Sequence, residues 1–563
     1  MPAIWGRLLK SRKGPDSKRL SPELMNTATR PEQSRIVAGS PYDHGHDIIA
    51  LRRLVDELKD YQITQGSLLK VVYHETEHSV PSVPVGVAVF PTPFPRRCFD
   101  EACSIQLAYN RLYVAIAEDD EWLESVLRDL IKHDRLVSAL WGIHKKVKQD
   151  VELPRLSLGI FRSDYMLHSL SPSQGHEIDG LSIKQVEMNT FSVAGGTHGN
   201  IVANMHRHLY NAEAYSTIGK APVPGMQWPV QPTMPSNTTI SSIVSSLQRA
   251  HAEYLRIYSP TSKCCILMIV QPLNGNICDE RPIQYALSDT GIPMFRVTHG
   301  SHVLDRTRLG DDQDRALIYS YTSATLGMAA IEYEVSVVYH RAGYDPKEYD
   351  DTGVESRLRL ERSRAVKCPS VLSHLSTLKK VQQALTVSGA VERFVSAEDA
   401  VTVRKTFMPI YALDDSPQGH IGREIATDPT KAHDHVLKPC LEGGGHNVFR
   451  ENIAKYLSEI PRNIWTSHIL MEMIRPPTVY NMLMTPNGLY KGPVISELGM
   501  FGCCLWRSNP GDQGKTSSGA DDIEFIFNEQ GGWSFKTKSQ DVDEMSVVKG
   551  HGCFDSPMLV EQL

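Results

Sequence analysis

The sequence predicts a mixed fold, α+β with a small α/β segment set into it, and three observations carry that prediction. Amphipathic helical stretches alternate with short apolar strands along the chain. A proline-rich polar stretch, PVPGMQWPVQPTMPSNTT (222–239), reads as a connection between lobes. After it, strand and helix alternate at the spacing of an α/β lobe of about 100 residues. The 563 residues are 41% hydrophobic and 22% charged, an ordinary globular balance with ample chain for a core. At roughly 150 residues per domain this length fits three or four domains, or one multi-lobed enzyme.

In chain order, residues 1–43 mix Ser, Pro and Arg and read as a solvated disordered tail. The basic run 7–19 within it is also compatible with a mitochondrial leader; no apolar segment of a secretory signal follows Met1. Ile48, Leu51, Leu54, Val55 and Leu58 share one face of a helix over 47–63. A strand is expected at 83–95, then helical spacing over 98–119 and 121–147. LSLGIFRSDYMLH (156–168) reads as a strand followed by a loop, and SIKQVEMNTFSV (182–193) as another strand. GGTHGN (195–200) breaks that strand before a helix over 201–214. Beyond the connection come a strand at 264–271, a helix at 281–291, and strands at 292–298 and 336–340. Helices follow from 357, including 375–385, and then strands at 468–474 and 493–501. SNPGDQGKTSSGADD (508–522) reads as a mobile loop.

Several classes are excluded. A net charge of −6 argues against nucleic acid as partner. No apolar run is long enough to span a bilayer, so no membrane role is expected. The 10 cysteines are scattered without CxxC spacing, which fits neither a zinc site nor a disulfide scaffold. A reduced, cytoplasmic setting is the simpler reading.

The chemistry concentrates in a few strings. Residues two apart in a strand share a face, so Glu187 and Asn189 of QVEMNT present two oxygen donors suited to Mg²⁺. Plain strand alternation with a polar face explains the same pattern. In LKPCLEGGGHN, Lys438 precedes Glu442 and three glycines, whose bare amides can approach an anion while the lysine neutralises phosphate. An ordinary glycine-rich turn is the plain alternative. Arg162 of FRSDYM and Arg341 of HRAGY, with Tyr344, could clamp carboxylates, or serve as structural ion pairs. Lys379 taken alone is an ordinary helical lysine.

Together these strings resemble the eukaryotic glutathione synthetases. The resemblance runs from about 47 to 505 through LGIFRSDYM, IKQVEMNT, VVYHRAGYDPKEY, RSRAVKCPS with LKKVQQ, VLKPCLEGGGHN, ILMEMI and ISELGMFG, in order. It implies an ATP-grasp fold with an inserted small α/β substrate-binding lobe. The expected parts are a core over 44–262, that lobe over 263–366, and a nucleotide-binding region with glycine loop and C-terminal lid over 367–563. It implies a homodimer that uses ATP with a pair of Mg²⁺ ions to join γ-glutamylcysteine to glycine through an acyl phosphate. Carried over, Glu187, Asn189 and Glu442 would hold metal. Arg162, Lys379 and Lys438 would be catalytic, with both lysines on ATP phosphates. Gly443, Gly444, Asn447, Met471, Ile474, Glu497 and Lys538 would complete the nucleotide site. Arg162, Ser192, Asn276, Arg341, Tyr344 and Lys536 would contact substrate.

The chain departs from the family pattern on the substrate side. SVAGG (192–196) is shorter than the usual turn, and Met473 stands where a lysine is common. Glu280 stands at a contact position and Asn274 replaces an acid. Lys536 replaces an arginine, and Met545, Ser546, Val548 and Lys549 replace small lid residues. A synthetase with a variant lid is the first reading. A paralogue using another acid or amine is the second, and a non-catalytic nucleotide-binding homologue the third.

Overall fold

The computed structural model describes residues 45–72, 78–150, 155–169, 180–215, 233–310, 315–322, 330–440, 446–486, 488–508 and 523–561. Strand Gly488–Ser508 pairs antiparallel with Ile523–Ser539 on one side and with Arg155–Ser169 on the other. Leu181–Asn189 pairs antiparallel with Arg155–Ser169 in turn. Among the described residues these belong to one mixed sheet of 13 strands. The alternating segment extends this sheet. Its strands Met294–Thr298, Cys264–Val270 and Ile331–His340 run parallel, and Val366–Cys368 links them in parallel to Arg155–Ser169. Cys264–Val270 is buried from its second residue onward, as a parallel strand covered on both faces must be.

A second sheet is small and wholly antiparallel. Ile410–Ala412, His468–Glu472, His435–Pro439 and Val448–Phe449 form its four strands in that order. The main core gathers Tyr109 and Leu112 of helix Arg96–Glu118 with Phe161, Tyr165 and Trp506 of the large sheet. Each such side chain contributes roughly 1.5–3 kcal/mol by leaving water. That gain makes the long hairpin a rigid support for the polar residues on it.

Several elements differ from the sequence expectation for local reasons. Residues 121–147 are two helices, Asp120–His133 and Arg135–Lys148. Asp134 between them has extended backbone, and its carboxylate accepts from the Val137 amide, so it caps the second helix. FRSDYMLH stays in the strand through Ser169 rather than leaving it. GGTHGN starts helix Gly196–Asn211 instead of merely preceding it, with Gly195 at φ 85°. Asp279, from helix Ile277–Asp289, accepts from the Gly195 and Thr197 amides and so caps that helix from another element. The stretch 375–385 breaks at Thr377 and Leu378, which puts Lys379 at the start of helix Lys379–Leu385. Most of the connection 222–239 and of the loop 508–522 lies outside the described residues.

Candidate active site

Strand register sets the polar row. Arg162 sits opposite Asn189, and Asp164 opposite Glu187. Arg162 is therefore mid-strand, and its guanidinium lies along its own face onto Asp164, with N–O distances of 2.6 and 2.7 Å. It also donates to the Ala194 carbonyl at 2.6 Å. This pair crosses the backbone of Gly499, where a Cβ would stand 2.6 Å from Asp164 Oδ1 and 2.8 Å from Arg162 Cδ. Any larger residue there would force these side chains to shift.

One residue later the ladder slips. A bulge between Asp164 and Tyr165 leaves Val186 as the extra residue of the partner strand. Val186 therefore does not simply turn away from Glu187. Its carbonyl accepts from Lys438 Nζ at 2.9 Å. Lys438 comes from the small sheet, opposite Ile469. Lys379 Nζ stands 3.4 Å from Glu187. On the far hairpin Lys536 lies directly opposite Glu497 and bonds it at 2.6 Å. Lys538, two residues on, donates to the Val542 carbonyl.

These groups share one cleft of about 460 Å³ between the small sheet and the large one. Arg162, Glu187, Asn189, Asn276, Lys379, Lys438, Asn447, Met471, Ile474, Glu497, Lys536 and Lys538 all line it. Ser192, Arg341 and Tyr344 do not line it. Arg341 is buried behind it, bound to Asp279 at 2.9 Å and to the Val193 carbonyl, where it braces the turn that carries Ala194 and Gly195. Ser192 holds a left-handed backbone in that turn. Glu442, Gly443 and Gly444 lie outside the described residues. Of the lid substitutions, Met545, Ser546 and Val548 line the cleft, and Val547 joins them.

The electrostatics follow from burial and neighbours. Burial pushes the Glu187 carboxyl up, but Lys379, Lys438, Arg162 and Lys536 outweigh it and hold it at about 2. Burial lowers Lys438 to about 8, against the pull of Glu187. Burial likewise lowers Lys538 and raises Glu497, the latter opposed by Lys536. The Asn189 amide nitrogen donates to Asp164 at 3.2 Å, leaving Oδ1 as its ligand atom. An ionised carboxylate beside an amide oxygen is a hard donor set that fits Mg²⁺.

Sequence reasoning missed His198, Val186, Arg450 and the lid acids. Arg450 bonds Asp543 at 2.7 Å and Asn447 bonds Glu544 at 2.9 Å, so the small sheet and the 541–550 loop meet across the cleft. Sequence reasoning also missed Asp164, which the strand period would have signalled, because it lies two residues from Arg162 on the same face.

A cleft of this size, with buried lysines, an ionised carboxylate and an apolar section at Val436, Met471 and Ile474, defines an enzyme that handles a nucleotide polyanion. Comparison with known proteins gives the family. The model of the eukaryotic glutathione synthase ATP-binding domain matches residues 49–559. The glutathione synthetase large chain of Schizosaccharomyces pombe is 31% identical, with 89% of this chain and 96% of that protein covered. The Homo sapiens glutathione synthetase is 30% identical, covering 90% and 96%. A solved glutathione synthetase-like effector from Globodera pallida, in apo form, shares the fold at TM-score 0.64 and 22% identity, covering 91% and 98%. The chain belongs to the eukaryotic glutathione synthase family.

Proposed function

We propose that this chain is an ATP-dependent ligase that joins γ-glutamylcysteine to glycine, giving glutathione, ADP and phosphate. The observation that carries the reading is the meeting of Lys379, Lys438, Glu187 and Asn189 from three separate elements in one cleft. The ATP-grasp description is supported by that cleft's position between two sheets. Val436, Met471 and Ile474 would cover the adenine, and Glu497 the ribose. Lys379, Lys438 and Lys538 would neutralise the phosphates. Glu187 and Asn189 would hold Mg²⁺, with Glu442 as a further ligand; the ion would neutralise phosphate charge and orient the γ-phosphoryl.

Arg162 and Lys536 would bind the acid beside that phosphoryl. The substrate carboxylate then takes the γ-phosphoryl, and ADP separates. The amine attacks the acyl carbon, the C–N bond forms, and phosphate leaves. The bridge from Asn447 and Arg450 to residues 543–544 would exclude water, which otherwise hydrolyses the acyl phosphate. The reading includes a homodimer, as in the family resemblance. It also includes a cytoplasmic location, supported by the 10 free cysteines. Among the described residues no helix is long and apolar enough to cross a membrane.

A second reading, ligation of a different amine, is favoured by one observation. Met545, Val547 and Val548 line the cleft, and each carries bulk a small amine does not need. ADP release with γ-glutamylcysteine and a panel of amines, with product masses, separates the two. ADP formed only with glycine supports the first reading. Preference for another amine supports the second, and ATP binding without amine-dependent ADP overturns both.

A further inference from the structure

Asp164 stands behind the cleft wall rather than in it, yet it touches two residues that form that wall. It is 1% exposed, while Arg162 and Asn189 both line the cleft. Both its oxygens accept from the Arg162 guanidinium, from Nε at 2.6 Å and from Nη2 at 2.7 Å. A carboxylate engaged in this way offers only acceptors. The side of the Asn189 amide that faces it, at 3.2 Å, must therefore be the nitrogen, and the amide oxygen points away. The Arg162 carbonyl, 3.5 Å from Asn189 Nδ2, is a second acceptor on that same side. A guanidinium carries five N–H groups in a fixed fork. Asp164 takes two of them and the Ala194 carbonyl takes a third at 2.6 Å. The Gly499 backbone packs against both Asp164 and Arg162, which leaves the pair little room to turn.

We propose that Asp164 is a positioning residue that sets two neighbouring subsites at once. It keeps the Asn189 oxygen, not the nitrogen, available to a divalent metal, and it aims the remaining N–H groups of Arg162 at the acid. The inference rests on the ligase reading, which supplies both ligands. A purely structural ion pair would depend on packing and charge balance alone. Here the hydrogen-bond polarity of residue 164 decides the outcome. Asp164→Asn fits the same space but presents one donor where only acceptors serve. Asn189 is then free to turn its nitrogen towards the metal, and one Arg162 N–H loses its acceptor.

The test measures three dissociation constants on the whole chain. They are Kd for γ-glutamylcysteine by calorimetry without metal or nucleotide, Kd for Mn²⁺ alone by electron paramagnetic resonance, and Kd for ADP by calorimetry without metal. Asp164→Asn should raise the first two tenfold or more and leave the third within threefold. Adding Asn189→Asp to Asp164→Asn exchanges donor and acceptor, so residue 164 donates and residue 189 keeps an oxygen for the metal. Mn²⁺ binding should then return to within threefold of wild type. Binding of γ-glutamylcysteine should stay weak, because the guanidinium still lacks one acceptor. Asp164→Ser, which offers a single oxygen, should show both losses and keeps the test open if Asp164→Asn misfolds. Losses shared equally by ADP, no loss at all, or a double variant that leaves Mn²⁺ binding weak overturn the positioning role. A wild type that binds both ligands but forms no ADP with any amine sinks the ligase reading alone, provided Asp164→Asn still shows the selective losses. A wild type that binds neither γ-glutamylcysteine nor Mn²⁺ overturns both.

Discussion

Replacing Lys438 with methionine should make the free protein more stable and the enzyme much poorer. The side chain is 6% exposed, and burial lowers its pKa from 10.5 to about 8. A tenfold change in proton affinity is worth about 1.4 kcal/mol, so keeping the charge costs the folded state about 3 kcal/mol at pH 7. Methionine has a similar length and no charge. It removes that cost but gives up the bond to the Val186 carbonyl, worth about 1 kcal/mol. The net expectation is a gain of about 2 kcal/mol for the variant. The folded chain holds this proton less tightly than the unfolded chain. The cost is therefore full below pH 8 and fades as pH rises towards 10.5, and the gap between variant and wild type closes over the same window. Urea unfolding at pH 7 and pH 10 measures it. ATP would lose a charge-assisted contact of about 1.5–3 kcal/mol, so kcat/KM for ATP should fall roughly 10- to 150-fold. A variant less stable than wild type at pH 7, or one keeping kcat/KM within a few-fold, refutes the reasoning.

Three further outcomes are expected. Glu187→Gln should cut ATP turnover by a factor on the order of 100 and shift the Mg²⁺ titration upward, because it removes the carboxylate that the surrounding cations hold ionised. Turnover close to wild type in a coupled ADP assay would count against the metal role. Gly499→Ala should lower stability by about 1–3 kcal/mol in thermal melts, since its Cβ would stand 2.6 Å from Asp164 Oδ1 and 2.7 Å from Ser534 Oγ. An unchanged melt would show that the Arg162–Asp164 pair moves freely. Buried His206 has its pKa lowered to about 4, so between pH 6.5 and 4 the unfolded chain binds a proton that the folded chain refuses. Wild type should lose about 2 kcal/mol relative to His206→Gln between pH 7 and pH 5, and a constant gap would reject this.

The fold was legible wherever one element carries its own pattern. Apolar runs at 264–271 and 468–474 match strands Cys264–Val270 and His468–Glu472, since buried strands need no outside partner to be recognised. Legibility failed where a boundary depends on one side chain or on a distant one. Asp134 splits a continuous helical period by capping. Asp279 starts helix Gly196–Asn211 from another element, which no local string announces. The candidate site shows the same division. Glu187 with Asn189, and Lys536 with Lys538, share faces by strand period alone. The Val186 bulge that brings a carbonyl to Lys438 depends on a register slip against another strand. That three elements converge came from the family resemblance, because no local spacing encodes contacts between residues 187, 379 and 438.

The way each cation is held separates their proposed roles. Arg162, Lys379 and Lys536 face carboxylates, at 2.6, 3.4 and 2.6 Å. Lys438 and Lys538 bond backbone carbonyls. A charge already facing a carboxylate adds little net field for an arriving anion, whereas one held by a neutral dipole keeps most of its own. In the proposed reading Lys438 and Lys538 would therefore carry more of the phosphate attraction than the directly paired cations, each within the field of a nearby carboxylate, Glu187 for Lys438 and Asp543 for Lys538. Lys536 and Glu497 carry this further. In the proposed reading Glu497 meets the ribose and Lys536 the acid, yet in the free cleft they neutralise each other. A ribose hydroxyl donating to Glu497 would loosen its hold on Lys536 and free that ammonium for a carboxylate. Nucleotide binding would then strengthen acid binding, and by linkage the acid would strengthen nucleotide binding by the same factor.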